Sequence, residues 1–145
     1  MDIQRFRIWI ARLLIGIVAI LNLQCALAFL LSPDRYLTGF DLTGFPGRLS
    51  IQGMGLLFVM WNVPYLFAIW HPLVHRVSLI EAIIMQAIGL MVESILYLQI
   101  PSANPAISVS VQRFIGFDAS GLVLLAVAWV SLRKLKPVMI KSEKP

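Results

Sequence analysis

Four apolar stretches, residues 13–31, 49–70, 77–98 and 111–132, constrain this chain more than any other feature. Each is close to the about 20 residues that an α-helix needs to cross roughly 30 Å of hydrocarbon. Hydrocarbon offers no partner to a backbone amide, so segments of this length and composition cross as helices. The connections 32–48, 71–76 and 99–110 are short enough to make consecutive helices antiparallel neighbours. The expected architecture is an all-α, integral membrane, up-and-down four-helix bundle forming one domain over residues 1–145, with a basic C-terminal tail at 133–145. Pro64 falls inside the second stretch and is expected as a kink, because neighbouring helices can satisfy the carbonyl it frees.

The first stretch has a competing reading. Arg5, Arg7 and Arg12 precede it, and Ala26-Leu27-Ala28 resembles a secretory cleavage site. The apolar run continues through Phe29, Leu30 and Leu31, which gives it spanning length, so it is read as a retained helix. The basic residues then set the orientation. Arg5, Arg7, Arg12, Arg76, Arg133, Lys134, Lys136, Lys141 and Lys144 put nine of the twelve Lys and Arg on one side, against Arg35, Arg48 and Arg113 on the other. By the positive-inside rule both termini are expected in the cytoplasm, in a multi-pass protein of a bacterial inner membrane. Trp9, Trp70 and Trp129 fall near that boundary as an aromatic belt, while Trp61 lies deeper and is expected to pack.

A net charge of +5 raises nucleic acid as a partner, but the basic residues flank apolar runs rather than line a polar face. Anionic lipid head groups are the expected partner of those charges, and no nucleic acid. The lone cysteine, Cys25, excludes an internal disulfide framework and a Cys-rich metal site. The two histidines, His71 and His75, lie in a connection with Pro72 between them and no third ligand nearby, which speaks against both haem and metal. No phosphate-binding loop, dinucleotide glycine pattern or nucleophile elbow occurs. No cofactor and no catalytic residue are expected, and the chain is not read as an enzyme.

Polar residues at membrane depth are the candidates for function, because a charge at mid-bilayer costs roughly 2.5–3.5 kcal/mol on insertion scales. Gln86, Gly89 and Glu93 share one face of the third helix with Ala82 and Tyr97, and that face is expected to look into protein. Antiparallel packing brings Glu93 to the depth of Arg113 and Asp118 on the fourth helix, with Gln24 and Gln52 joining from the first two. Arg113 and Asp118 are five residues apart, about 140° around a helix, so only one of them is expected to pair with Glu93. The cluster reads either as interhelical hydrogen bonding, worth about 0.6 kcal/mol per bond on average, or as a proton, quinone or small-ligand site. Glu81 is expected in an interfacial ion pair with Arg76, Arg12 or the tail lysines. Close helix approach is expected at Gly53 and Gly55 and at Gly116 and Ser120.

The first connection begins Ser32-Pro33-Asp34, a pattern that starts a short interfacial helix. It then repeats Leu37-Thr38-Gly39-Phe40 as Leu42-Thr43-Gly44-Phe45, which reads as a plain surface connector or as a lid. Ser32-Pro33 closing the first helix, Gly53 and Gly55 opening the second, the proline-containing loop after the third, and the run Gln86, Gly89, Glu93, Pro101, Arg113, Phe114, Asp118, Gly121 together resemble the small four-helix membrane proteins of the DoxX-like and BphX-like group. That resemblance implies an all-α membrane bundle and, for some members, a place as a small subunit beside membrane oxidoreductases. The expected function is a non-catalytic accessory subunit of a larger membrane complex, in respiratory or photosynthetic electron transfer. The alternative is a stand-alone membrane binder or carrier of a lipophilic small molecule such as a quinone.

Overall fold

The computed structural model describes residues 2–135; Lys136, Lys141 and Lys144 of the tail lie outside the described residues. Five helices build the bundle: α1 (Ile3–Leu31), α2 (Gly44–Trp61), α3 (Val63–Trp70), α4 (Arg76–Tyr97) and α5 (Pro105–Leu132). Because α2 and α3 follow one another through a single break, they form one crossing, and the chain is an all-α four-helix bundle with four helices long and apolar enough to cross a membrane. It is a multi-pass membrane protein. Its outer surface is correspondingly greasy, with Leu13, Ile20, Leu57, Met60 and Val123 all more than half exposed, which suits contact with lipid tails rather than water.

Three of the four crossings extend beyond their apolar stretches at a polar end, and α4 keeps the length of its own. In α1 the Asp2 carboxylate accepts from the Gln4 amide, a cap that starts the helix ten residues before the apolar run. In α5 the helix starts at Pro105, whose missing N–H costs nothing at a first-turn position. Hydropathy marks where a helix is immersed, whereas caps and proline mark where it begins.

The break in the second crossing is local chemistry at Asn62 and Pro64. Pro64 has no N–H for the Met60 carbonyl and crowds it. Two residues earlier, the Asn62 amide turns to the Val59 carbonyl at 3.1 Å, and the Asn62 side chain takes the amide's place by donating to the Phe58 carbonyl at 2.7 Å. The Phe58 carbonyl, left by the Asn62 amide, is thus satisfied by a side chain of the same crossing.

This break divides the bundle into a closed half and an open half. Beyond it, α3 packs against both α1 and α4, and α1 also packs along α5, which closes the ring through α4. The buried core lies there: Ala11, Ile15, Val18 and Ala19 of α1, Tyr65 and Ala68 of α3, Leu79 and Ala82 of α4, Leu125, Ala128 and Leu132 of α5. At that end two arginines finish helices that have run out of donors. Arg12 donates to the Trp70 carbonyl at 2.6 Å, and Arg76 donates to the carbonyls of Leu132 and Leu135, each placing a cation at the negative end of a helix dipole. Glu81 is exposed and makes no ion pair among the described residues, because Arg12 and Arg76 are committed to these carbonyls.

In the open half α2 leans on α1. Gly55 is the contact: a Cβ there would stand 2.9 Å from the Ala26 carbonyl oxygen and 3.0 Å from Phe29 Cβ. Gly53, Gly116 and Ser120 do not share this role, since Gly53 and Gly116 face open space and Ser120 is exposed. The first connection folds over this end as two single 3-10 turns, Pro33–Arg35 and Thr38–Phe40, rather than as an interfacial helix. The two copies of Leu-Thr-Gly-Phe take different structures: the first forms the second turn, and the second opens α2 from Gly44 at φ +64°. Ser110 of α5 donates to the Gly39 carbonyl at 2.7 Å and ties the connection down. Asp34 and Arg48 pair at 2.6 Å across its exposed rim.

Candidate functional site

The open half holds a partly open cavity of about 260 Å³ between α1, α2, α4 and α5, covered in part by the first connection. It exceeds the about 150 Å³ engineered cavity that admits benzene. Its walls are aromatic on one side: Phe29, Phe58 and Phe114 lie with ring centroids 5.9–6.3 Å apart. Phe40 adds an edge-on contact at 6.1 Å to Phe29, and Tyr36 approaches Phe29 at 4.6 Å. Trp61 closes the wall beside Phe58. Tyr36 and Phe40 come from the connection, so that segment forms part of the cavity wall.

The opposite wall is polar, and it is built by a reciprocal fit of α4 and α5. Gln86 and Gly89 are three residues apart on α4, as are Asp118 and Gly121 on α5, so each pair occupies one helical face. Run antiparallel, the two pairs interlock. Asp118 lies over Gly89, where any Cβ would collide with its Oδ2, and Gln86 lies over Gly121, where a Cβ would meet Nε2 at 2.6 Å. Gln86 Nε2 donates to Asp118 Oδ1 at 2.7 Å, and the Tyr65 hydroxyl donates to Gln86 Oε1 at 2.6 Å. A side chain at either position would have to displace the hydrogen-bonded polar group lying above it.

One turn further along α4, the Glu93 carboxyl lies within hydrogen-bonding reach of Asp118. Such a contact between two carboxyls requires a proton on one of them. Glu93 Oε2 is buried and receives no donor. Asn22 of α1, 5% exposed, also lines the cavity, and its amide makes no hydrogen bond among the described residues. Arg113 lines the mouth, is itself exposed, and makes no ion pair among the described residues.

Of the six polar residues anticipated as a cluster, Gln86, Glu93, Arg113 and Asp118 line one cavity. Asp118, not Arg113, reaches Glu93. Gln24 and Gln52 stand apart. Gln24 is exposed on the outer face of α1, and Gln52 donates at 3.2 Å to the Leu30 carbonyl at the end of α1. The α1 residue that does enter the cavity is Asn22, two positions and therefore about 200° from Gln24. It falls in register with the buried series Ala11, Ile15, Val18, Ala19, Ala26 and Phe29, a spacing that separates the two residues once it is followed along the helix.

Tyr65 escapes a search for polar residues because its ring reads as core, and its ring is core: it is 0% exposed, with only its hydroxyl entering the network. Cys25 lines the cavity as a free, half-buried thiol. Among the described residues no group of three or more His, Cys, Asp or Glu side chains gathers to hold a metal ion. The fold and cavity define a class, a multi-pass helical membrane protein with a ligand-sized internal chamber. Comparison with protein-family models, curated proteins and solved structures finds no match to this chain.

Proposed function

We propose that this protein is a stand-alone membrane binder or carrier of a lipophilic small molecule, held in the cavity between the aromatic rings and the Gln86–Asp118–Glu93 wall. The observation that carries this reading is the pairing of an apolar, ring-lined chamber with buried polar groups that lack protein partners, Asn22 and Glu93 Oε2. Ligand sites are mostly apolar with a few convergent polar groups. Simple interhelical hydrogen bonding accounts for Gln86 and Tyr65 but leaves these two unpaired.

The alternative, an accessory subunit of a membrane electron-transfer complex, draws on intramembrane charge in search of an external partner. Here Asp118 is met by Gln86 and Glu93 inside the chain, which favours a ligand over a partner subunit. The reading is non-catalytic. It includes the DoxX-like resemblance, supported by the gathering of Gln86, Gly89, Glu93, Arg113, Phe114, Asp118 and Gly121 around the cavity and its α4–α5 wall. It also includes a bacterial inner membrane with both termini cytoplasmic, supported by the nine basic residues on that side. The cavity then opens within the outer half of the bilayer.

The test is to purify the protein from its own membranes in mild detergent and identify organic-soluble molecules retained by mass spectrometry. One compound class at near-stoichiometric amount is expected, reduced in Glu93→Gln and Asp118→Asn. Retention of nothing beyond bulk lipid in all three proteins would remove the proposal.

A further inference from the structure

The cavity's unpaired groups say what kind of molecule suits it, given that it binds a lipophilic ligand as proposed above. Its lining carries groups of both signs: the Glu93 and Asp118 carboxyls on one side and the Arg113 guanidinium at the mouth. Because acid and base are both already present, a neutral molecule adds no further charge at membrane depth. At the Glu93 end the lining offers a carboxyl, which can accept from an O–H or N–H. At the mouth Arg113 has five donors and no acceptor of its own, which asks for an oxygen. Arg113 and Glu93 lie on different helices, α5 and α4, and both line the cavity, so one ligand can meet both.

The apolar wall selects the body of the molecule. Phe29, Phe58 and Phe114 stand about 6 Å apart, centroid to centroid, around the same space. At that spacing the three rings contact one another, so a bound ring lies against their cavity-facing side. The Asn22 amide brings a further unpaired donor and acceptor to the lining.

We propose that the cavity is a site for a neutral phenolic ring, which donates its hydroxyl to the Glu93 carboxyl, lies against Phe29, Phe58 and Phe114, and accepts from Arg113 through an oxygen on the opposite side of the ring. A decyl chain on that oxygen's side would leave through the mouth into lipid.

Four probes separate the contributions, titrated against the purified protein in lipid nanodiscs by isothermal calorimetry. Decyl 4-hydroxybenzoate has both the hydroxyl and the acceptor oxygen. Decyl 4-methoxybenzoate has the hydroxyl blocked, 4-decylphenol lacks the ester oxygen, and decyltrimethylammonium is a cation of matched tail. The hydroxybenzoate should bind at least tenfold more tightly than the methoxy ester and the cation, and several-fold more tightly than the decylphenol. Glu93→Gln should shrink the hydroxy-to-methoxy ratio to about twofold, and Arg113→Met should erase the preference for the ester over the decylphenol. Equal binding of the hydroxy and methoxy esters, or tighter binding of the cation, would overturn the phenolic assignment while leaving a lipophilic binder in place. Binding of none of the four would remove both. The comparison among probes uses the unaltered protein, so it decides the question even if a variant fails to fold.

Discussion

Gln86→Leu is the substitution on which the wall between α4 and α5 should turn. Gln86 is 2% exposed and joins three helices, accepting from Tyr65 of α3 at 2.6 Å and donating to Asp118 of α5 at 2.7 Å. Leucine keeps the bulk that covers Gly121 and removes both bonds. Interhelical hydrogen bonds in membranes average about 0.6 kcal/mol with a maximum near 1.7, so the two together contribute about 1–3 kcal/mol. The Tyr65 hydroxyl then has no partner in a fully buried site, a penalty of about 1–3 kcal/mol, whereas Asp118 still faces the cavity. A loss of about 2–6 kcal/mol is expected for Gln86→Leu in bicelles, measured by steric trapping or by denaturant titration. Adding Tyr65→Phe removes the orphaned hydroxyl and should recover about 1 kcal/mol. The double-mutant cycle therefore predicts a coupling of about 0.6–1.7 kcal/mol between Tyr65 and Gln86. Additivity within about 0.3 kcal/mol, the behaviour of independent sites, would refute the network.

Glycine position makes a second set of expectations in the same assay. Alanine at Gly89 or Gly121 collides with Asp118 or Gln86 and should cost about 1–3 kcal/mol, while alanine at Gly53 or Gly116 meets open space and should be neutral or stabilising by up to about 1 kcal/mol. Arg76→Met leaves the last carbonyls of α5 without their donor and should speed proteolysis or amide exchange at that helix end relative to its middle. Asp34→Asn breaks an exposed ion pair, with both side chains more than half accessible, and should change stability by less than about 1 kcal/mol, a difference that fades further at high salt.

The crossings are legible in the sequence because hydrocarbon accepts so few solutions. A run of twenty apolar residues with a proline in it still has to pair its backbone, and the helices at Ile3–Leu31, Gly44–Trp70, Arg76–Tyr97 and Pro105–Leu132 follow. The shared depth of Glu93 and Asp118 is legible too, from antiparallel order and residue spacing. What escapes is rotation about each helix axis. Gln24 and Asn22 have similar chemistry and nearly the same depth, but the turn of α1 gives one to lipid and the other to the cavity. Gly53 and Gly55 differ in the same way, one facing open space and the other the Ala26 carbonyl. The cavity itself lies among α1, α2, α4 and α5, on the side of the Asn62–Pro64 break where α2 leans on α1, an arrangement of several helices that no one segment displays.

The chain's one cysteine offers the most direct test of the central claim, because Cys25 lines the cavity as a free thiol. The rate of its alkylation by a small membrane-permeant maleimide, followed by intact-mass measurement in nanodiscs, reads occupancy without introducing any substitution. Saturating decyl 4-hydroxybenzoate should slow that rate at least fivefold, with protection weakened in Asp118→Asn. An unchanged rate for the unaltered protein, with that probe and with the organic extract of its native membranes, would contradict a ligand in this cavity.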